Sequence, residues 1–418
     1  MIFLEPVMPS TLPKLIVTAL LLACLCPVAS AADLTFHPRI RVTGEYNDNV
    51  EQTKGGKGDW LAIVKPGLSM TYDHSRVLMN LSYDFEHKRY RNKVKGDEYN
   101  NYLNSALAVE AVKDLFYVDV SDTYQKVYEN VNRGDVPEGD TSNGTTDQNT
   151  FTLNPYFSFP LQERTMLTTG GRFQDIWYAK EGNVDKRVYS LYANVNHELT
   201  ERLSLQVGAA YDKQAPRFEE GGFNRYSTTF GAEYAYAENS FVEMSISPTY
   251  TDYVIEGSSD KQYVPYSLRI THAFTDTLIA TAYTEMSFSE DPKSAVTKNQ
   301  FNHGVGLDHQ YKRGHVGIKL EYRDYQSETT SSRTTYWRPS IQGSHVLTER
   351  LGLDYNVYME MDTNPDSDKY LFLLANLRYA LSEDFTCSLN YRFKDNDAER
   401  YAEDYVSNTL GISLSWVH

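Results

Sequence analysis

Apolar and polar residues alternate along this chain with a period of two. Leu351, Leu353, Tyr355, Val357, Met359 and Met361 fall on one side of such a run, with Asp354, Asn356, Tyr358, Glu360 and Asp362 on the other. Leu203, Leu205, Val207, Ala209 and Tyr211 likewise oppose Ser204, Gln206, Gly208, Ala210 and Asp212. Val316, Ile318, Leu320 and Tyr322 alternate with Gly317, Lys319, Glu321 and Arg323, which gathers three consecutive charges on one side. Helical spacing would scatter those charges around a cylinder, whereas a period of two collects them on one face of a strand. The segments predict strands, each with one oily and one watery face.

The connectors are of two kinds. Short polar ones recur with a shared sequence, as in Leu199-Thr200-Glu201-Arg202-Leu203 and Leu347-Thr348-Glu349-Arg350-Leu351, and predict tight hairpin turns. Longer polar ones include Lys213 to Gly222, Glu290 to Lys298, Gln326 to Arg333 and Asp362 to Lys369. Alternation of short and long connectors is the pattern of a barrel with periplasmic turns on one rim and extracellular loops on the other. Strands near residues 34–46, 60–72, 77–90, 99–111 and 115–128, continued to 404–416, give about twenty, with eighteen as the alternative. The expectation is an all-β fold: a single transmembrane antiparallel up-and-down β-barrel over residues 32–418. The first strand and those near Pro155, Pro248, Pro265 and Pro339 are the weakest assignments, since proline removes a ladder donor.

The last strand carries its own signal. Leu410, Ile412, Leu414 and Trp416 alternate with Ser407, Thr409, Ser413 and Ser415 on the opposite side. Gly411, Leu414 and Trp416 also stand at the offsets of the carboxyl-terminal signal by which barrel-assembly machinery recognises outer-membrane barrels, although Val417 and His418 follow the aromatic. At the other end Lys14 precedes an apolar run from Leu15 to Cys26, and Ala29-Ser30-Ala31 supplies small residues for cleavage after Ala31. Residues 1–31 read as a cleaved signal peptide. Leu21-Leu22-Ala23-Cys24 imitates a lipoprotein site, but Leu22 stands where a small residue is expected.

Composition agrees with a barrel. The 33 Tyr, against 9 Met and 4 Trp, favour a side chain that is apolar in body and polar at its tip, suited to membrane interfaces and to a wet lumen. A mean hydropathy of −0.52 excludes a helical membrane protein but is ordinary where half of each strand meets lipid. The net charge of −16 argues against nucleic acid, which needs a basic patch. Acidic residues gather in Asp135, Glu138 and Asp140, in Asp366 and Asp368, and in Asp395, Asp397 and Glu399, read as solvated loop tips. A weaker reading has divalent cations bridging them to lipopolysaccharide phosphates. No EF-hand spacing occurs.

Beyond the leader only Cys387 remains, which excludes an internal disulfide and a multi-cysteine zinc site. It alternates with Phe385 and Leu389 and reads as a small lipid-facing hydrophobe. His272, His303, His309, His315 and His345 are scattered, and no HExxH or G-x-S-x-G pattern occurs. His303 and His309 project to the outer face of one strand, where an interfacial role is expected. The chain is read as neither an enzyme nor a holder of a metal or cofactor.

Projection inward yields the candidate lumen path: Arg172, Tyr192, Arg269, Tyr283, Lys319, Glu321, Arg323, Arg338, Tyr358, Arg378 and Arg392. Lys65, Asp84, Glu86, Lys88, Glu110, Glu233, Glu243, Glu285, Asp308, Asp354, Glu360 and Lys394 share that face, as do Tyr263 and Tyr336. Both signs occur in similar measure, so the wall is not built for a strongly anionic polymer; the plain expectation is charges that pair across neighbouring strands. The longest connector, Glu129 to Gln148, is expected as an external loop, the alternative being a constriction of the mouth.

Glu45-Tyr46-Asn47-Asp48-Asn49-Val50, then Pro66-Gly67-Leu68-Ser69 and Leu81-Ser82-Tyr83-Asp84, resemble a family of outer-membrane β-barrel porins. That family is associated with exopolysaccharide export, including exosortase-linked loci. The resemblance spans the mature chain, but its motifs are structural: Asp48 and Asn49 end the first strand and Pro66-Gly67 is expected at a bulge. It implies an outer-membrane conduit for exopolysaccharide or capsular polysaccharide, working with a periplasmic export protein. The alternatives are a diffusion porin for small solutes and a non-conducting structural or adhesion barrel.

Overall fold

The computed structural model describes residues 33–130, 136, 144–218, 220–254, 259–328, 332–363, 369–397 and 404–418. The leader and the acidic residues Asp135, Glu138, Asp140, Asp366, Asp368 and Glu399 lie outside the described residues. Strands β1 (Asp33–Asn47), β2 (Asp59–His74), β3 (Val77–Tyr90), β4 (Glu98–Val112) and β5 (Phe116–Tyr128) open the chain. Then come β6 (Thr145–Gln162), β7 (Thr165–Tyr178), β8 (Lys186–Thr200), β9 (Leu203–Pro216) and β10 (Phe223–Ala237). The middle is shorter: β11 (Ser240–Ile246), β12 (Thr249–Tyr253), β13 (Lys261–Tyr263) and β14 (Tyr266–Thr275). Next are β15 (Leu278–Ser289), β16 (Lys298–Tyr311), β17 (Gly314–Ser327) and β18 (Arg333–Val346). The chain closes with β19 (Leu351–Asp362), β20 (Lys369–Ala380), β21 (Phe385–Asp397) and β22 (Tyr405–Val417).

All pairings are antiparallel, between sequence neighbours except for β10 with β12 and β11 with β14, and β1 meets β22 from Asn47↔Thr409 to Arg39↔Val417, which closes the sheet. The 22 segments make a barrel of 20 staves, because β11 with β12 is one stave and β13 with β14 another. The interruptions fall at Pro248 and Pro265, where the sequence marked weak strands. Pro155 and Pro339, by contrast, lie inside continuous strands, and their ladders resume in unchanged register beyond them. Pro66 does the same. Val64↔His87 is followed by Gly67↔Asp84 with no inserted residue, so the expected bulge is absent. Asp395 and Asp397 are also not in a connector, since β21 runs through them. Proline costs one donor here and leaves the strand direction intact.

The outer wall is oily. Leu410, Ile412 and Leu414 of β22 are exposed, as are Val305 and Leu307 of β16 and Leu191 of β8. Among the described residues no helix is long and apolar enough to cross a membrane; an apolar outer face with satisfied backbone is how strands do so. Aromatic pairs gird the wall at two levels. Near the long connectors stand Tyr46 with Trp60, Tyr211 with Tyr226, and Tyr322 with Trp337. Near the short turns stand Phe116 with Phe157, Tyr236 with His272, and Tyr311 with His345. On β16 both levels are occupied: His303 stacks on Tyr322 above, and His309 packs on Tyr311 below. Six residues, roughly 20 Å of strand and about 15 Å along the barrel axis at a tilt of about 40°, separate His303 from His309. The two histidines therefore stand toward opposite ends of the outer face. Cys387 pairs in register with outward Leu414 and sits on the lipid face.

Candidate functional site: the lumen and its outer mouth

Strand register puts the whole candidate path on the inner wall. Glu321 stands beside Arg338, Arg323 beside Tyr336, Arg269 beside both Glu243 and Tyr283, and Arg378 beside Gly352. The charges pair as expected. Arg269 Nε lies 3.8 Å from Glu243, Arg338 Nε 3.7 Å from Glu360, and Arg378 Nε 2.5 Å from Asp354. Arg172 Nη2 lies 3.8 Å from Asp212, and Arg39 donates to Asp84 at 2.8 Å and to Ser82 at 2.8 Å. Such ladders solvate a lumen without a surplus of either sign.

One cluster is tighter. Lys319 Nζ at 2.8 Å and Arg323 Nη2 at 3.1 Å both reach the Glu321 carboxylate, which also accepts from the Tyr283 hydroxyl. Arg269 and Lys319 lie over the Tyr283 ring at 5.6 and 5.1 Å from its centroid. Arg338 lies 4.0 Å over the ring of Tyr358, whose neighbour Phe372 stacks at 5.0 Å. These tyrosine faces are already taken by neighbours, which the alternation of residues alone could not reveal.

The lumen is asymmetric along its axis. Arg269, Lys319 and Arg378, nearer the short turns, keep nearly half their side-chain surface, whereas Tyr358 and Lys394, nearer the long connectors, are buried. In the open half a cavity of about 650 Å³ is walled by Asn80, Ser121, Asn154, Tyr192 and Asn194 among others. In the other half the connectors fold inward. Val50, from the connector after β1, is wholly buried on inward-facing Leu61, Ile63 and Tyr90. These apolar inner-wall residues look anomalous in a watery lumen until the loop that covers them is seen.

Residues 290–297, between β15 and β16, reach farther. They are held by staves well around the barrel: Val184 N–H donates to the Pro292 carbonyl at 2.8 Å, and Gln214 Nε2 to the Ala295 carbonyl at 2.9 Å. Lys186, wholly buried on β8, donates to Glu290 and, at 2.5 Å, to the Asp291 carbonyl. The Tyr178 hydroxyl also donates to Glu290, at 3.0 Å. Lys293 Nζ lies 2.6 Å from Glu129, which Lys180 Nζ also approaches at 2.6 Å. Val296 packs with Phe223 and Tyr253. A second knot lies beside it, where Arg225 Nη2 donates to Glu328 at 2.9 Å and to Thr297 at 3.1 Å. Thr297 in turn donates to Glu328 at 2.9 Å. Burial pushes the Glu290 and Glu328 carboxyls above the usual range despite the cations beside them. At Glu129 burial is outweighed by Lys180 and Lys293, which hold its carboxyl low.

Sequence reading missed this connector because nothing in Glu290 to Thr297 marks it as inward; the signal lies in the unlike partners Lys186 and Gln214, which local pattern does not connect. Of the longer Glu129 to Gln148 connector, residues 145–148 belong to β6, and Val136 borders a cavity in the mouth together with lumen residues. Residues 131–135 and 137–143, on which the expectation of an external loop rests, lie outside the described residues. Among the described residues no cluster of His, Cys, Asp and Glu is arranged to hold a metal ion.

Comparison with known proteins supports the fold. No family profile and no curated sequence matches the chain. Solved structures do. The FrpB iron transporter of Neisseria meningitidis superposes with a TM-score of 0.54 at 8% identity, covering 91% of this chain and 81% of that one. The siderophore receptor PirA of Pseudomonas aeruginosa gives 0.52 at 9% identity, with 93% and 81% covered. A ferric enterobactin receptor variant of Pseudomonas aeruginosa gives 0.51 at 10% identity, with 93% and 82% covered. What this chain shares with them is a large closed antiparallel β-barrel.

Proposed function

We propose that the chain is an outer-membrane conduit through which a polysaccharide leaves the periplasm, held closed at its outer mouth in the absence of cargo. The observation that carries this reading is the inner wall itself: amides, hydroxyls and tyrosines interspersed with charges that neutralise one another, open towards the short-turn rim. A moving polymer of sugars needs many weak contacts, because tight holding at any point would stop it. The wall offers such contacts and no net field that would select an anion. Iron and siderophore cargo belong to the structural neighbours by name and are not carried to this chain, since fold does not fix function.

A second reading, a diffusion porin for small solutes, is favoured by the connector of residues 290–297 inside the mouth, which would set a size limit. Deleting the gene separates the two: an exporter's loss abolishes surface matrix while synthesis continues, whereas a porin's loss leaves matrix in place. Conductance of the purified barrel in planar bilayers is expected in either case, and its complete absence would point to a non-conducting scaffold. Liposome swelling by free sugars should be slow for the closed exporter and rapid for the porin.

A further inference from the structure

Under the inward connector lies a cavity of about 590 Å³ that joins two separated parts of the wall. Tyr128, Gln148 and Tyr178 line it from β5 to β7, and Gln300, Tyr325 and Asn356 from β16 to β19. Its volume falls in the range of about 300–1,000 Å³ usual for small-molecule sites. Each amide offers a donor and an acceptor together, the combination that a sugar hydroxyl also presents. The tyrosines are 4–6% exposed and the Tyr178 hydroxyl already bonds Glu290, so the amides are what a ligand meets.

Charge in the cavity is neutralised. Arg323 lies 3.1 Å from Glu321, Arg338 lies 3.7 Å from Glu360, and Glu290 is met by Lys186. Among the described residues that line it no cation is left over to reward an anionic ligand, so hydrogen bonding decides what binds. We infer that this cavity is a saccharide subsite in the mouth, one that takes a short stretch of neutral, hydroxyl-rich oligosaccharide. The inference rests on the conduit reading and deepens it, by placing sugar recognition at the constriction.

The test uses the detergent-purified mature barrel titrated with the three neutral sugars maltotriose, cellotriose and tri-N-acetylchitotriose, and with trigalacturonate as the charged comparison, by calorimetry and by saturation-transfer NMR. At least one neutral trisaccharide should bind saturably with a Kd of about 1 mM, corresponding to about −4 kcal/mol. Asn356→Ala and Gln300→Ala should each weaken it by about fivefold, the loss of roughly one hydrogen bond. Lipid-facing Ser105→Ala should leave it unchanged, and heat-modifiable gel mobility should show all three variants folded. Absence of saturable binding by all three sugars, or unchanged affinity in both cavity variants, overturns the subsite. Binding confined to uronate-containing trisaccharides overturns its neutral character. A barrel that conducts but binds no sugar loses the subsite and keeps the conduit. One that binds sugar while the deletion strain still displays matrix keeps the subsite and loses the export role.

Discussion

Pro248 and Pro265 interrupt neighbouring staves at the same height, and each accepts a ladder hydrogen bond that it cannot return. Thr228 N–H donates to the Pro248 carbonyl at 3.1 Å, and Ser247 N–H to the Pro265 carbonyl at 2.7 Å. The register on either side is the same, so the wall is broken in hydrogen bonding but not in alignment. Above the break β13 pairs with β12, while the ladder between β14 and β15 ends at Tyr266↔Met286. Phe288 packs edge-on against Tyr263 there, with the Arg225 guanidinium 3.5 Å over its ring.

Pro265→Val should therefore stabilise the barrel. It restores a donor opposite the Ser247 carbonyl and places a β-branched residue in a strand, gains of about 1 kcal/mol. The expected outcome is a higher unfolding midpoint in urea and slower amide exchange at Tyr263 and Tyr266. An unchanged midpoint would mean that the ladder stays open above the prolines for another reason, such as the pull of Glu328 on Lys261.

Glu290→Ala should open the outer mouth. Removing one member of a buried ion pair costs on the order of 3–5 kcal/mol because the other charge is stranded. Glu290 itself keeps 27% of its side-chain surface, but the charge left behind is that of Lys186, which keeps 0%. The stranded Lys186 would push the connector away from β8, and single-channel conductance should rise several-fold. A Gln214→Cys, Ala295→Cys pair in a Cys387→Ser background should do the opposite: oxidation pins the connector and reduction releases it. Equal conductance in both redox states would show that residues 290–297 do not limit flow.

Acid should weaken the same closure through Glu129. Its folded-state carboxyl is held below the ordinary value by Lys180 and Lys293 after burial is offset. A lowered carboxyl contributes stability that is present above the unfolded-state value and lost as pH falls through the folded-state one. Conductance should therefore be steady near neutrality and rise only as pH falls below the ordinary glutamate range. Glu129→Gln should be open already at neutral pH and lose that acid-induced rise. A wild-type barrel that closes further in acid would contradict the clasp.

The sequence revealed the stave and its sidedness, but not how the lumen is filled. Alternation sufficed for Lys319, Glu321 and Arg323 because a strand has only two faces, and one of them must be oily to meet lipid. It also placed Pro248 and Pro265 correctly as trouble, while Pro66 gave a false bulge because a strand can lose one donor and keep its register. Leu61 and Ile63 were opaque. Both faces of β2 are apolar there, and only the docking of Val50 explains the inner one. The mouth could not be read at all, because Lys186 and Glu290 are brought together by closure of the barrel and not by local pattern.

The oily face itself can be tested at Ile412, which projects outward between Leu389 of β21 and Gly44 of β1. Were the wall to face lipid, Ile412→Arg would put a charge into hydrocarbon at a cost of about 2–4 kcal/mol near the bilayer midplane. Ser415, two positions from the closing Val417 and on the inner face, is the matched control, because Ser415→Lys adds a charge where water already reaches. Ile412→Arg should lower the folded, heat-modifiable fraction in outer-membrane extracts and reduce the urea midpoint, while Ser415→Lys should keep both. Equal tolerance of the two charges would mean that the exterior of β22 is not lipid-facing, and a water-soluble sheet would then have to account for the exposed Leu410, Ile412 and Leu414. Failure of both would point to the seam with β1 as the sensitive feature, since each position sits on the closing ladder.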